Sequence, residues 1–90
     1  MLFIGGVFMF TRTVNISSLS DAKKFVDITS KYDDVRMRLR IGDYEINAHS
    51  IVGVLSVTDS NKNPVFTADL PDNDETLLKE IEPFLVAENE

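Results

Sequence analysis

Apolar and basic residues alternate without a fault across Val35-Arg36-Met37-Arg38-Leu39-Arg40-Ile41. A period of two marks a strand with one buried and one open face. Gly42-Asp43 then turns the chain into Tyr44-Glu45-Ile46-Asn47, which predicts a hairpin. A period near 3.6 governs the stretch before it. Ala22, Phe25, Val26, Thr29 and Tyr32 make the inward stripe of a helix near residues 21–32, with Lys23, Lys24 and Asp27 facing water. Ser20 is the expected N-cap, and Asp21 suits the positive end of the helix dipole. Asp33-Asp34 ends that helix.

The flanks read as follows. Phe8 to Ile16 is the first strand, with Phe8, Phe10, Val14 and Ile16 on one side and Arg12 interrupting the set. Residues 59–64, Asp-Ser-Asn-Lys-Asn-Pro, are a loop by composition. Val65 to Leu70 is the last strand. Pro71-Asp72-Asn73-Asp74 opens the last helix, whose stripe is Leu77, Leu78, Ile81, Phe84 and Leu85. Pro83 lacks a backbone donor and should kink that helix or end it early.

Asn47-Ala48-His49-Ser50-Ile51-Val52-Gly53-Val54-Leu55-Ser56-Val57 joins the two halves. Ser50 can cap a helix start. Ile51, Val54 and Leu55 fall on one face, while Val52 widens the apolar surface beyond one stripe. Periodicity leaves two readings open: a buried strand, or a short helix with a partly exposed apolar face.

The order strand, helix, strand, strand, helix, strand, helix (βαββαβα) contains two βαβ halves. It predicts an α+β fold with a four-stranded antiparallel sheet and three helices on one face. Residues 1–90 read as a single domain. Residues 1–6 are an apolar N-terminal extension ending in a Gly5-Gly6 break. The run Met1 to Phe10 is too short for a transmembrane helix and lacks the flanks of a signal peptide. A contact with a second subunit through residues 1–10 is one use for it.

Ser50-Ile51-Val52-Gly53-Val54-Leu55-Ser56-Val57 resembles the regulatory-serine segment of HPr, the histidine phosphocarrier of the bacterial sugar phosphotransferase system. Ala22 to Tyr32, ending Thr29-Ser30-Lys31-Tyr32, is similar to that family's first helix. The strand pair with Gly42 at its turn is similar as well. The likeness covers roughly residues 8–87, and only the segment around Ser50 is specific. It implies an HPr-like open-faced sandwich and a cytoplasmic bacterial protein. Its partners would be a phosphotransferase-system component, a serine kinase or a transcription regulator.

Composition narrows the chemistry. The chain has 90 residues, no cysteine, one histidine and a formal net charge of −6. Disulfides and thiolate metal sites are excluded, and so is any multi-histidine site. The acidic balance disfavours non-specific nucleic-acid binding. Neither a cofactor nor a membrane partner is expected.

The family carries phosphate on a histidine in a Gly-Ile-His-Ala-Arg-Pro-Ala pattern at the start of its first helix. Aligned on Ser30-Lys31-Tyr32, the histidine position here is Ser18, the arginine position Ser20 and the proline position Asp21; Ala22 alone remains. A serine phosphate ester is too stable to pass on readily, and Asp21 would repel an incoming phosphate. The resemblance therefore implies a relative that has lost histidine phosphotransfer, is not an enzyme, and acts as a regulatory or protein-binding module. A carrier with a non-standard site and a structural or oligomerisation domain are the alternatives.

Ser50 matches the family's regulatory phosphorylation site and equally reads as an ordinary N-cap. The family's docking surface maps to Ile51, Val52 and Leu55 with the loop Ser17 to Ser20, including Leu19. His49 reads as a surface side chain at a strand end. Arg36, Arg38 and Arg40 read as a solvated strand face neutralised by neighbours such as Glu45 and Asp69.

Overall fold

The computed structural model describes residues 9–58 and 61–86. Their elements run β1 (Phe10–Thr13), α1 (Leu19–Thr29), β2 (Met37–Ile41), β3 (Tyr44–Asn47), α2 (Ile51–Ser56), β4 (Val65–Ala68) and α3 (Glu75–Ile81). Single 3-10 turns follow α1 at Ser30–Tyr32 and α3 at Glu82–Phe84. The described residues thus form an α+β fold with three α-helices and a four-stranded sheet ordered β1-β4-β2-β3. Every pairing in it is antiparallel.

The alternation in β2 decides which face is inside. Met37 and Leu39 are buried, and Leu39 stands opposite Ile46 on β3 and Phe66 on β4. Phe10 of β1 continues that face, opposite Ala68. Ala22 and Phe25 of α1, Val54 of α2, and Leu77 and Ile81 of α3 join these strand residues in one apolar cluster. Phe25 is its hub, edge-on to Phe66 at 5.2 Å and to Phe84 at 5.3 Å between ring centroids. Edge-to-face rings stabilise beyond the area they bury. The other face carries Arg36 and Arg40 exposed, with Arg38, Val65 and Thr67 half-buried.

Several boundaries differ from the sequence reading. The first strand spans Phe10–Thr13, shorter than the expected Phe8 to Ile16; Val14 makes only an isolated bridge to Leu85. Phe8, and residues 1–6, lie outside the described residues. Arg12 does share the inward side, at the sheet edge. Its guanidinium lies 4.5 Å over the Phe10 ring and bonds Asp72 Oδ1 at 2.7 Å, so the charge reaches solvent along apolar surface. β2 begins at Met37 instead of Val35, and β4 ends at Ala68 before the expected Leu70. The last helix begins at Glu75, capped by the Asp74 carboxylate on the Leu77 N–H. Pro83 confines it as expected, since the α-helix stops at Ile81.

The hairpin turn is tight, with Ile41 facing Tyr44 across two residues. Gly42 has φ 59°, and no other described residue has a positive φ. A positive φ at the first central position alone is the type II′ pattern, which matches strand twist and favours glycine there.

Both sheet edges are partly covered. On β1, the Thr11 N–H donates to Asp72 Oδ1 at 3.3 Å, and the Thr13 carbonyl accepts the Val86 N–H at 3.1 Å. On β3, the Asn47 carbonyl accepts the Ser50 N–H at 3.1 Å, and the antiparallel register turns Tyr44 and Ile46 toward β2. The backbone of Glu45 and the N–H of Asn47 then face outward.

Candidate functional site

Two helix starts and one helix face contain the residues singled out by sequence. At the start of α1 the N-cap is Ser18, correcting the expectation of Ser20. Ser18 has extended backbone (φ −146°, ψ 167°), and its hydroxyl accepts the Asp21 N–H at 3.1 Å. Ser20 already lies inside the helix and is exposed. The Asp21 carboxylate reaches back and accepts from both the N–H and the hydroxyl of Ser17, each at 3.2 Å. This is a reciprocal cap built from Ser18-x-x-Asp21. The spacing was present in the sequence, but the acidic residue after Ser20 was the stronger-looking signal. Chemically, the Ser18 hydroxyl is engaged with its own helix, and a carboxylate closes the loop beside it.

At the start of α2, Ser50 is the N-cap, as read from sequence. Its hydroxyl accepts the Gly53 N–H at 3.1 Å. The segment is the short helix, and the buried-strand alternative falls. Gly53 shows why the helix sits where it does. A Cβ there would meet the Asn47 carbonyl oxygen at 3.3 Å and Ile46 Cβ at 3.4 Å, so its absence lets α2 lie close on β3. With that side fixed, Val54 is fully buried, Ile51 and Leu55 are half-buried, and Val52 is 74% exposed.

No residue of α2 is charged, in a chain where 27% of residues are. Leu19, the first residue of α1, is 52% exposed. The two helices pack against each other, and the buried Thr29 hydroxyl of α1 donates to the carbonyl of Ala48, in the connection from β3 to α2, at 2.9 Å. Tyr44, on β3, was not singled out from sequence. It is 52% exposed, and its hydroxyl meets the Ser56 hydroxyl at 2.9 Å, placing the ring beside the far end of α2. Its position as the hairpin's closing residue, at the sheet edge, was the available signal.

His49 is not the surface side chain expected. It is half-buried; its N–H donates to Asn47 Oδ1 at 2.9 Å, and its Nε2 is walled in with no hydrogen-bond partner. It lines an open cleft of about 390 Å³ with Asp33, Asp34, Arg36, Arg38 and Asn47. The Ser50 hydroxyl is turned to Gly53 and bonds no imidazole, so the adjacency of His49 and Ser50 builds no activated nucleophile. Arg38 is neutralised by Glu45 at 3.2 Å, as expected, whereas Asp69 forms no ion pair with the arginines. Among the described residues no three His, Asp or Glu side chains come together as a metal site. No described helix is long and apolar enough to cross a membrane.

Set against known protein families, curated proteins and solved structures, the chain gives no match in any of the three comparisons.

Proposed function

We propose that this chain is an HPr-like module that docks a protein partner through α2 and the start of α1, and that it does not carry phosphate on histidine. The observation that carries the reading is Val52, 74% exposed on a helix whose other valine is fully buried. A large aliphatic side chain held outward on a charge-free helix suits an interface anchor. The element order and the antiparallel sheet support the likeness to the open-faced sandwich of that family. The reciprocal cap at Ser17, Ser18 and Asp21 supports the loss of phosphotransfer, since the aligned phosphoacceptor position holds a helix cap and a carboxylate instead. Ser50 is the candidate regulatory phosphorylation site. A phosphate there would replace the hydroxyl's bond to the Gly53 N–H with charged acceptors.

The experiment combines transfer and binding. The protein is incubated with phosphoenolpyruvate and the phosphotransferase system's first enzyme, and intact mass is read. No mass gain is expected; acid-labile phosphate on His49 would refute the loss of transfer. Titration with the first enzyme, a serine kinase of that system and its transcription regulator is followed through the amides of Leu19 and Val52. Binding to one of them, lost in Val52→Asp and altered in Ser50→Asp, is the expected outcome. Failure of all three to perturb those amides would reject the docking role.

A further inference from the structure

The open face of the sheet presents charge that the fold itself does not use. Arg38 and Arg40 of β2 share that face, at an interval of ~6.7 Å set by strand rise, and Arg36 lies one residue before the strand. Like charges on one strand face repel, and a fold usually answers them with cross-strand acids. Here the answer is partial. Glu45 lies directly across from Arg40 in the register, yet its carboxylate bonds Arg38, leaving Arg40 unpaired. The guanidinium groups of Arg36 and Arg40 have neither an ion pair nor a hydrogen bond among the described residues, and both side chains are exposed. This happens in a chain with fifteen acidic residues and net charge −6.

The rest of the face is rich in threonine, with Glu45 and Asp69 as its acidic residues. One row across the sheet reads Thr13, Val65, Arg40, Glu45, and the next reads Thr11, Thr67, Arg38, Asn47. Arg36 and Arg38 also border an open trough of about 360 Å³ with Met9, Thr67, Glu45 and Asp69. These three arginines are therefore the projecting cationic groups on a flat, threonine-rich floor.

We infer that this face is a second docking surface, distinct from α2, and that its occupant is an extended acidic segment of another protein with carboxylates at alternate positions. An extended chain repeats its side chains at the same ~6.7 Å interval as Arg38 and Arg40, so alternate carboxylates can meet the unpaired Arg36 and Arg40 while the middle one competes with Glu45 for Arg38. Charge complementarity selects an acidic occupant. Nucleic acid fits less well: no described residue of this face is aromatic for base stacking.

The test uses the full chain with ¹⁵N labelling and three probes: a Glu-Thr-Glu-Thr-Glu peptide, a Thr-Thr-Glu-Glu-Glu peptide of equal composition, and a short oligodeoxythymidine. The alternating peptide should shift the amides of Arg36 to Arg40 and Thr67 and bind more tightly than the block peptide. The double variant Arg36→Ser/Arg40→Ser should weaken it about tenfold, as the loss of two partly exposed ion pairs requires. Because both side chains are exposed, its thermal midpoint should match that of the parent. Val52→Asp should bind the alternating peptide unchanged, which separates this surface from α2. Equal binding of both peptides would overturn strand-matched recognition. Tighter binding of the oligonucleotide would replace the acidic partner by a nucleic acid. Binding of none would leave the arginines as a solubilising face and sink the proposal.

Discussion

Val52 and Val54 are two positions apart in one helix and have opposite environments, 74% exposed against fully buried. The same substitution should separate them. Val52→Asp is expected to leave the urea midpoint within ~0.5 kcal/mol of the parent, as for other exposed sites away from special features. Val54→Asp buries a charge without a partner and should leave the chain unfolded. An unfolded Val52→Asp would mean that Val52 is core and would remove the anchor from the docking reading. Thr29 makes the complementary case for a buried polar group. Thr29→Val keeps the shape but strips the Ala48 carbonyl of its donor, at a cost of ~1–3 kcal/mol in chemical denaturation. At this scale the sequence was only partly legible. Ser50 as a cap could be read from the apolar run behind it. Ser18 could not be separated from Ser20, because three serines crowd the same turn and only the backbone at Ser18 decides. His49 was misread because the residues that share its cleft, 33–38, are remote from it in sequence.

Among elements, β2 was the most legible, since its alternation is a property of the strand alone. Helix α2 was the least, because six residues, half of them β-branched, satisfy either period, and its choice rests on packing against β3 through Gly53. The hairpin's Gly42 sits at φ 59°, so Gly42→Ala should destabilise by ~1 kcal/mol in a urea titration. The contact between the end of α1 and α3 depends on pH. Glu80 accepts from Lys31 Nζ and the Tyr32 hydroxyl, each at 2.7 Å. Lys31 foremost, and Tyr32 after it, hold the Glu80 carboxyl below its ordinary value near 4.5. Burial and the same carboxylate push the Tyr32 hydroxyl up. A depressed folded-state pKa gives stability that is complete above the unfolded value and is lost as pH falls through the folded one. Glu80→Gln should therefore lower the thermal midpoint at neutral pH and flatten its decline below about pH 4.5. An unchanged slope would show that the clasp adds nothing.

For the molecule as a whole, the layered arrangement followed from element order and the polarity of β2. The partial covering of the sheet edges did not. Nothing local in Asp72 or in Leu85-Val86 marks them as partners of β1; each is brought there by the path of the chain around the core. That covering governs how the protein behaves at high concentration. An uncovered strand is a template on which further chains add in register, the first step toward amyloid. Here one rim is partly occupied by Asp72 and Leu85-Val86, and the other leaves outward only the backbone of Glu45 and the N–H of Asn47 among its described residues. Strand addition at the described edges should therefore be disfavoured, and solutions should not nucleate fibrils through them on storage. Truncation after Phe84 keeps that aromatic in the core while baring Thr13, and it should confer thioflavin-positive growth that the intact chain lacks.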